Sequence, residues 1–258
     1  MAIFDGIAIL SDMDGTLLNN RILHKEQLKA LRYFTENGGL FCPATGRAEG
    51  FLLKNYPELP LNSYCIVKNG TAIYDTSSKT YIWKHPLDRQ ALYRLEHLLQ
   101  QFDTITKVAF HTENEYFDFD VDLPDLKEKI WGIDAPLFKI VLAVKPPFAH
   151  DIAKYCEQFD DYQHFCSSDF LFEIIPLQTG KGVCTQKLRD FFPPNTTIIG
   201  IGDYENDISL LQAADIGVAV SGGYEPLKNY ARWIAPPIEE HPVAWLVNYL
   251  EKEGIHRI

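Results

Sequence analysis

The chain has 258 residues, of which 46% are hydrophobic, and its 24 Lys and Arg against 35 Asp and Glu give a net charge of −11. This length and apolar fraction are those of a globular protein with one large or two small domains, which excludes disordered and collagen-like chains. The negative charge repels phosphate backbones, and since the sequence has no basic patch we exclude general nucleic-acid binding.

Neither a membrane segment nor a secretory signal is predicted. No stretch approaches the 18 apolar residues of a transmembrane helix, and the first residues lack the basic and apolar regions of a signal peptide. The cysteines are odd in number and widely spaced, at Cys42, Cys65, Cys156, Cys166 and Cys184. This pattern is typical of reduced, buried thiols, so we predict a cytoplasmic protein.

In the first 83 residues, short apolar runs alternate with a segment of helical periodicity. Residues 7–10 form an apolar run of strand length, and apolar residues recur at helical spacing over 28–34. Further strands are predicted over residues 40–42 and 65–67. The alternation favours a parallel sheet that is covered on both faces.

The pattern changes near residue 84. A helix is predicted over residues 92–102, and two strands over 105–111 and 115–120 follow it as a hairpin. A second succession of helix and strand pair continues to residue 176. Helix followed by hairpin is typical of an α+β unit with an antiparallel sheet.

The parallel pattern returns from residue 178, with strands predicted over 197–201, 216–220 and 232–234. We therefore predict an α/β fold: a doubly wound, mostly parallel, Rossmann-like sheet formed by residues 1–83 and 178–258. The chain between them, residues 84–177, is predicted to be an inserted α+β domain.

Polar residues follow the strands of this sheet at their carboxyl ends, where ligand sites of open α/β sheets lie. In chain order they are Asp12, Asp14, Thr45, Gly46, Arg47, Lys181, Asp203, Asn206 and Asp207. Two carboxylates about 4 Å apart repel by about 4 kcal/mol at an effective dielectric near 20. Converging acids therefore need protons or a cation, and oxygen ligands beside a phosphate favour Mg²⁺.

These residues resemble, in order and spacing, the four motifs of the haloacid dehalogenase-like phosphatases. The motifs are Asp12-Met13-Asp14-Gly15-Thr16-Leu17, Thr45-Gly46-Arg47, Lys181 and Gly202-Asp203-x-x-Asn206-Asp207. The insertion between the second and third motifs resembles the type-two cap of the Cof-type, sugar-phosphatase-like branch, as do Asn69-Gly70 and Glu173-Ile174. Ser221-Gly222-Gly223 stands where this branch usually carries an Asn-containing loop, so that loop's substrate contacts are not carried over.

The resemblance implies a phosphoric monoester hydrolase. Asp12 would be the nucleophile that forms an aspartyl-phosphate, and Asp14 would be the general acid and then the general base. Thr45 and Lys181 would bind the transferring phosphoryl group.

The resemblance also implies a metal site and a substrate site. Mg²⁺ would be held by Asp12, the backbone carbonyl of Asp14, and Asp203, with Asp207 as a further ligand. Substrate phosphate would contact Gly46, Arg47 and Asn206.

The expected substrate is a small phosphorylated metabolite, with sugar phosphates as the first expectation. Phosphoglycolate, pyridoxal phosphate and flavin mononucleotide stay open as alternatives, as does a non-catalytic ligand-sensing or interaction protein on the same fold. Glu173 and Tyr116 are candidates for setting specificity from the inserted domain. The sequence predicts neither the oligomeric state nor the physiological substrate.

Overall fold

The computed structural model of the chain describes residues 2–254, which divide into two compact units. The first unit contains the described residues up to Trp83 and from Gly180 onward, and the second unit is Lys84–Thr179. The predicted second boundary, between residues 177 and 178, lies two residues earlier. Thr179 stays with the second unit because its hydroxyl donates to the Pro176 carbonyl (2.6 Å) and its own carbonyl accepts from the Gln163 amide (3.0 Å).

The helices and strands follow the chain in three segments. The first segment contains β1 (Ile7–Ser11), β2 (Leu18–Asn19), β3 (Ile22–Leu23), α1 (Lys25–Glu36), β4 (Leu40–Pro43), α2 (Glu49–Asn55), β5 (Tyr64–Val67), β6 (Ala72–Asp75) and β7 (Thr80–Lys84). The second unit contains α3 (Ala91–Gln101), β8 (Ile105–His111), β9 (Tyr116–Asp120), α4 (Leu126–Trp131), β10 (Lys139–Val144), α5 (Ala149–Cys156), β11 (Tyr162–Ser168) and β12 (Leu171–Pro176). The last segment contains α6 (Lys181–Leu188), β13 (Thr197–Gly202), α7 (Ile208–Ala213), β14 (Ile216–Val220), β15 (Trp233–Ala235) and α8 (Pro242–Glu253). Between residues 2 and 254, every helix is too short or too polar to cross a bilayer.

A five-stranded parallel sheet organises the first unit, in the order β15-β14-β13-β1-β4. All five residues of β1 are buried, and alternate residues enter different cores. Ile7 and Ile9 pack with residues of α1 and α8, whereas Ala8 and Leu10 pack with residues of α6 and α7. Apolar side chains on both faces explain why the strand is a continuous apolar run. The predicted doubly wound α/β class is confirmed.

The strand predicted over residues 65–67 does not continue the parallel sheet as expected. β5 pairs antiparallel with β6, and a single parallel bridge, Ala44 to Ile66, connects it to the chain after β4. The cause is the turn after β5, where Lys68, Asn69 and Gly70 all have positive φ angles (51°, 57° and 82°). Three successive left-handed residues reverse the chain, so the following strand returns beside β5.

The second unit has a five-stranded antiparallel sheet in the order β11-β12-β10-β8-β9. The register places the buried side chains of Phe110, Ile140 and Ile174 on one face of the sheet. The opposite face carries Val141 and its cross-strand partner Glu173. This is the α+β arrangement predicted for the insertion.

Candidate active site

The carboxyl ends of β1 and β13 bring acidic residues from distant parts of the sequence together. Asp12 directly follows β1, and its N–H donates to the carbonyl of Ile201 in β13 (2.9 Å). Asp203 and Asp207 follow β13. One oxygen from each of these three carboxylates lies within 4.8 Å of the others. The parallel pairing of β1 with β13 therefore creates an acidic cluster at this edge of the sheet.

Lys181, the first residue of α6, lies inside this acidic cluster. Its Nζ donates to Asp12 Oδ1 (2.6 Å) and to Asp207 Oδ1 (2.5 Å), and the lysine side chain is only 1% exposed. The second oxygen of Asp207 accepts the N–H groups of Asp203 (3.0 Å) and Tyr204 (3.2 Å). Asp207 thus connects Lys181 to the backbone at Asp203 through hydrogen bonds.

Asp203 is the third member of the cluster, and its Oδ1 accepts a hydrogen bond from the Thr16 hydroxyl (2.8 Å). Burial, with a contribution from the charge of Asp207, raises the pKa of Asp203 to about 7. Burial also raises the pKa of Asp12 well above its ordinary value, although the Lys181 charge opposes that rise. For Lys181 burial acts to lower the pKa, but the charges of Asp12 and Asp207 outweigh it and raise the pKa. Three carboxylates around one ammonium leave an excess of negative charge.

Two glycines allow the acidic residues to approach so closely. Gly15 has a φ of +94°, and a Cβ there would lie 2.2 Å from Asp203 Oδ2. A Cβ on Gly202 would lie 2.4 Å from the Asp207 side chain. A side chain at either position would clash with an aspartate side chain. At Gly15 the positive φ also disfavours any residue other than glycine.

Asp14 is placed differently from the other acids. Its side chain is 44% exposed and forms a two-pronged ion pair with Arg47, from Nε to Oδ2 (2.6 Å) and from Nη2 to Oδ1 (2.7 Å). The Arg47 guanidinium also lies 4.2 Å from the centre of the Phe51 ring. Three of the four predicted carboxylates thus converge around Lys181, and the side chain of Asp14 points to Arg47 instead.

The second motif and the fourth motif meet at Asn69. The Asn69 N–H donates to the carbonyl of Thr45 (2.9 Å), and its side-chain oxygen accepts from the Asn206 amide (3.2 Å). A Cβ on Gly46 would lie 3.0 Å from the Asn69 amide nitrogen. Thr45 is buried, and its hydroxyl oxygen accepts the N–H of Arg47 (3.2 Å). Sequence analysis assigned Asn69 no role, although the Asn-Gly pair that follows β5 was the available signal.

The same turn fixes the start of α6. Gly180 donates its N–H to the carbonyl of Gly70 (2.9 Å), and a Cβ on Gly70 would lie 2.1 Å from the Gly180 carbonyl carbon. This close backbone packing requires glycine at position 70 and determines where Lys181 begins its helix.

The loop that departs from the expected Asn-containing pattern packs on the fourth motif. A Cβ on Gly223 would lie 2.1 Å from the carbonyl oxygen of Asp203, and the Tyr224 N–H donates to that oxygen (2.7 Å). The glycine-containing loop thus supports the backbone of Asp203.

The two specificity candidates lie in the second unit. Glu173 forms an ion pair with Lys139 (2.7 Å), and both side chains are 4% exposed. Tyr116 is in β9 and is mostly exposed.

The acidic cluster fits a divalent cation. Asp12, Asp203 and Asp207 offer only oxygen ligands, which suit a hard cation such as Mg²⁺ better than a softer metal. Their excess charge over Lys181 is balanced by either a proton or a cation, and burial, the main cause of the raised pKa of Asp203, favours both over a bare carboxylate.

The chain is similar to known proteins in both sequence and fold. Residues 9–247 match the profile of a family described as haloacid dehalogenase-like hydrolase. The chain is 26% identical to the 5-amino-6-(5-phospho-D-ribitylamino)uracil phosphatase YitU of Bacillus subtilis, over 92% of this chain and 94% of that protein. A haloacid dehalogenase-like hydrolase from B. subtilis has a similar structure, with a TM-score of 0.81, 22% identity, and coverage of 94% of this chain and 99% of the other. A subclass IIB sugar phosphatase of the same superfamily gives a TM-score of 0.75 at 16% identity, over 95% of this chain and 98% of the other.

Proposed function

This chain belongs to the haloacid dehalogenase-like hydrolase family, and on that premise we propose that it is a Mg²⁺-dependent phosphatase of small phosphorylated metabolites, with sugar phosphates foremost. Hydrolysis of phosphoric monoesters is the activity named for its relatives, at 26% and 25% identity. The single observation that carries the proposal is the buried Lys181 between Asp12 and Asp207, with Asp203 beside them. Such a site can neutralise a phosphoryl group and present a carboxylate to it.

The proposed reaction has two displacements at phosphorus. Before the reaction, Asp14 would leave its ion pair with Arg47 and take up a proton from solvent, a change that substrate phosphate favours by binding Arg47. A carboxylate oxygen of Asp12 attacks, the bond from phosphorus to the ester oxygen breaks, and the protonated Asp14 gives its proton to the leaving alkoxide. Water then attacks the aspartyl-phosphate at phosphorus and loses a proton to Asp14. The bond from phosphorus to Asp12 breaks, inorganic phosphate leaves, and both carboxyl groups regain their starting protonation.

The partly exposed position of Asp14 suits this role. A group that delivers a proton to the leaving alcohol and later takes one from water must reach both substrate and solvent. Its pairing with Arg47 leaves it outside the acidic cluster, where it does not compete for Lys181. Asp12, by contrast, is buried and held on one oxygen by Lys181, which fixes the direction of the proposed nucleophile.

The proposed cation would be held by Asp12, Asp203, Asp207 and the backbone carbonyl of Asp14. When bound, it would offset the negative charge of the carboxylates and the phosphoryl group. Lys181 offsets part of that charge without a metal.

Substrate phosphate is proposed to contact Thr45, Gly46, Arg47 and Asn206, which the turn at Asn69 holds near one another. The domain roles belong to the same proposal: a catalytic core in residues 1–83 and 178–258 and a specificity-setting cap in 84–177. We also propose a cytoplasmic location, which the burial of all five cysteines supports.

A phosphate-release assay over a panel of phosphorylated metabolites tests this proposal. We expect turnover that requires Mg²⁺ and stops on addition of a chelator, with the highest kcat/KM for a sugar phosphate. A ligand-sensing protein would bind members of the panel and release no phosphate. If the preferred substrate were phosphoglycolate, pyridoxal phosphate or flavin mononucleotide, the proposed phosphatase reaction would stand and sugar phosphates would be rejected as the substrate class.

The Asp12→Asn variant tests the nucleophile. The amide keeps the size of the side chain and removes its nucleophilic oxygen, so kcat should fall by roughly four orders of magnitude or more. Circular dichroism of the variant serves as the control for folding. Mg²⁺-dependent turnover near the wild-type rate would reject Asp12 as the nucleophile.

A further inference from the structure

Two histidines precede two neighbouring helices of the first unit. His24 lies directly before α1 and His241 directly before α8. Each is held by its backbone, because the His24 carbonyl accepts the N–H of Leu28 (3.1 Å) and the His241 carbonyl accepts the N–H of Trp245 (2.9 Å). The first turns of the two helices therefore fix the backbone positions of both histidines.

The two imidazoles and one carboxylate lie together. The ring centres of His24 and His241 are 5.1 Å apart. His241 Nε2 is 3.7 Å from a carboxylate oxygen of Glu26, in the first turn of α1. One nitrogen or oxygen from each of the three side chains lies within 4.8 Å of the others. We propose that His24, Glu26 and His241 bind Zn²⁺, and that the ion joins the beginnings of α1 and α8.

A second observation concerns the imidazole of His241. Its Nδ1 is buried and makes no hydrogen bond to any residue from 2 to 254. His241 also has a left-handed backbone (φ 61°, ψ 65°) immediately before Pro242, a position that disfavours most residues. Hydrogen bonding at Nδ1 therefore does not account for the placement of this ring, and Nε2, the nitrogen that faces Glu26, is the one that would bind the metal.

The ligand set selects the kind of metal. Two imidazole nitrogens and one carboxylate are typical ligands of Zn²⁺, and three protein ligands leave a position for water. Mg²⁺ prefers oxygen ligands, so this cluster and the acidic cluster around Lys181 differ in the ion they accept. The Glu26 carboxylate offsets the positive ends of the two helix dipoles, which would otherwise oppose a cation here.

The site connects two elements that already share a buried hydrogen-bond network. The Gln27 amide nitrogen donates to the carbonyls of Thr16 and Leu17 (3.1 and 3.4 Å), and its oxygen accepts the N–H of Ala244 in α8 (3.0 Å). A metal bound to His24, Glu26 and His241 would connect the beginnings of the same two helices. Zn²⁺ should therefore raise the melting temperature of the folded protein.

Calorimetric titration of the full chain with Zn²⁺ in excess Mg²⁺ tests the proposal, because under the proposed function Mg²⁺ would fill the acidic cluster around Lys181. We expect one saturable equivalent of Zn²⁺ and a rise in melting temperature. The variant His24→Ala with His241→Ala should lose this binding, and Glu26→Gln, an exposed substitution that leaves the fold intact, should weaken it by about tenfold or more. His85→Ala, at an exposed histidine of the second unit that belongs to no candidate metal cluster among residues 2–254, is the matched control and should bind as the wild type does.

Visible absorption of Co²⁺ in place of Zn²⁺ provides a second readout that does not depend on stability. The wild type and the His85→Ala variant should give the bands of histidine-bound Co²⁺, and the Glu26→Gln variant should shift or lose them. The proposal is overturned if the wild type shows no saturable Zn²⁺ binding, if Glu26→Gln and the double histidine variant bind Zn²⁺ as tightly as the wild type, or if His85→Ala loses the binding. None of these results depends on phosphatase activity.

Discussion

Each unit of the protein contains a buried lysine paired with carboxylates, and the two lysines differ in how their charge is balanced. In the second unit, Lys139 pairs with Glu173, and the two charges are equal in number. In the first unit, Lys181 lies between Asp12 and Asp207 with Asp203 close by, so the carboxylates outnumber the ammonium. In a one-to-one buried pair the two charges offset each other, whereas an excess of buried negative charge calls for protons or a further cation. This imbalance distinguishes the candidate active site from an internal ion pair.

Of the two buried lysines compared above, Lys181 should have the larger effect on activity when it is removed. In Lys181→Met, the phosphoryl group and Asp12 lose their buried positive partner, so kcat should fall by about 10²- to 10³-fold. The measurement is steady-state phosphate release in saturating Mg²⁺.

The matched control for Lys181 is Lys187→Met, on the same helix. Lys187 lies 4.9 Å from the centre of the Trp83 ring, away from the carboxylates. Its kcat should stay near the wild-type value. Equal losses in the two variants would mean that the charge of Lys181 has no special role.

Removing Lys139 should instead affect stability. Lys139→Met leaves Glu173 buried without this partner, and the free energy of unfolding should fall by about 3–5 kcal/mol. Urea unfolding measures the change. Adding Glu173→Leu to Lys139→Met should restore most of the loss, since the buried charge is gone. If Lys139→Met were as stable as the wild type, the ion pair of Lys139 and Glu173 would contribute less to the free energy of unfolding than a buried salt bridge should.

A smaller effect is expected from Arg47→Lys. Lysine keeps the positive charge but cannot form the two-pronged contact with Asp14 or stack on Phe51 in the same way. The loss of one charged hydrogen bond should lower kcat/KM by about ten- to a hundredfold. Steady-state kinetics with the best substrate provides the measurement, and an unchanged kcat/KM would remove Arg47 from the proposed substrate contacts.

A further effect is expected on the pH dependence of stability without metal. Because burial and Asp207 raise the pKa of Asp203 to about 7, the folded state holds a proton there that the unfolded chain releases near its ordinary pKa of about 3.9. The contribution of Asp203 to stability is therefore complete below about pH 3.9 and is lost as the pH rises to about 7.

The variant Asp203→Asn cannot ionise at this position. Relative to the wild type in a chelator, its free energy of unfolding should increase from pH 5 to pH 7 and then level off. Urea unfolding at several pH values tests this, and a difference that is constant with pH would contradict the raised pKa.

Much of the fold and of the candidate site follows from local patterns. β1 and β13 are continuous apolar runs because both faces of the parallel sheet are buried, and ligand sites of such sheets lie at the carboxyl ends of strands. Asp12, Asp203 and Asp207 are identifiable for that reason.

The features that sequence analysis missed depend on contacts between distant residues or on single backbone angles. β5 turns back because three successive residues adopt positive φ, which composition does not reveal. Asp14 and Arg47 are 33 positions apart, and no periodicity indicates that their side chains pair. His24 and His241 come together only because α1 and α8 pack side by side.

The discontinuity of the first unit has a consequence for the newly synthesised chain. Lys181 contacts Asp12 across 169 positions, and β1 lies between β4 and β13, so β1 has no neighbour on one side until residues 197–202 have been made. At about 5–20 residues per second, that delay is roughly ten seconds or more. The second unit is continuous, so it can complete its own sheet on the ribosome while β1 still waits for β13. An apolar strand without a neighbour is exposed to chaperones, and premature termination between residues 179 and 197 would release a chain with a complete insertion and an unfinished catalytic sheet.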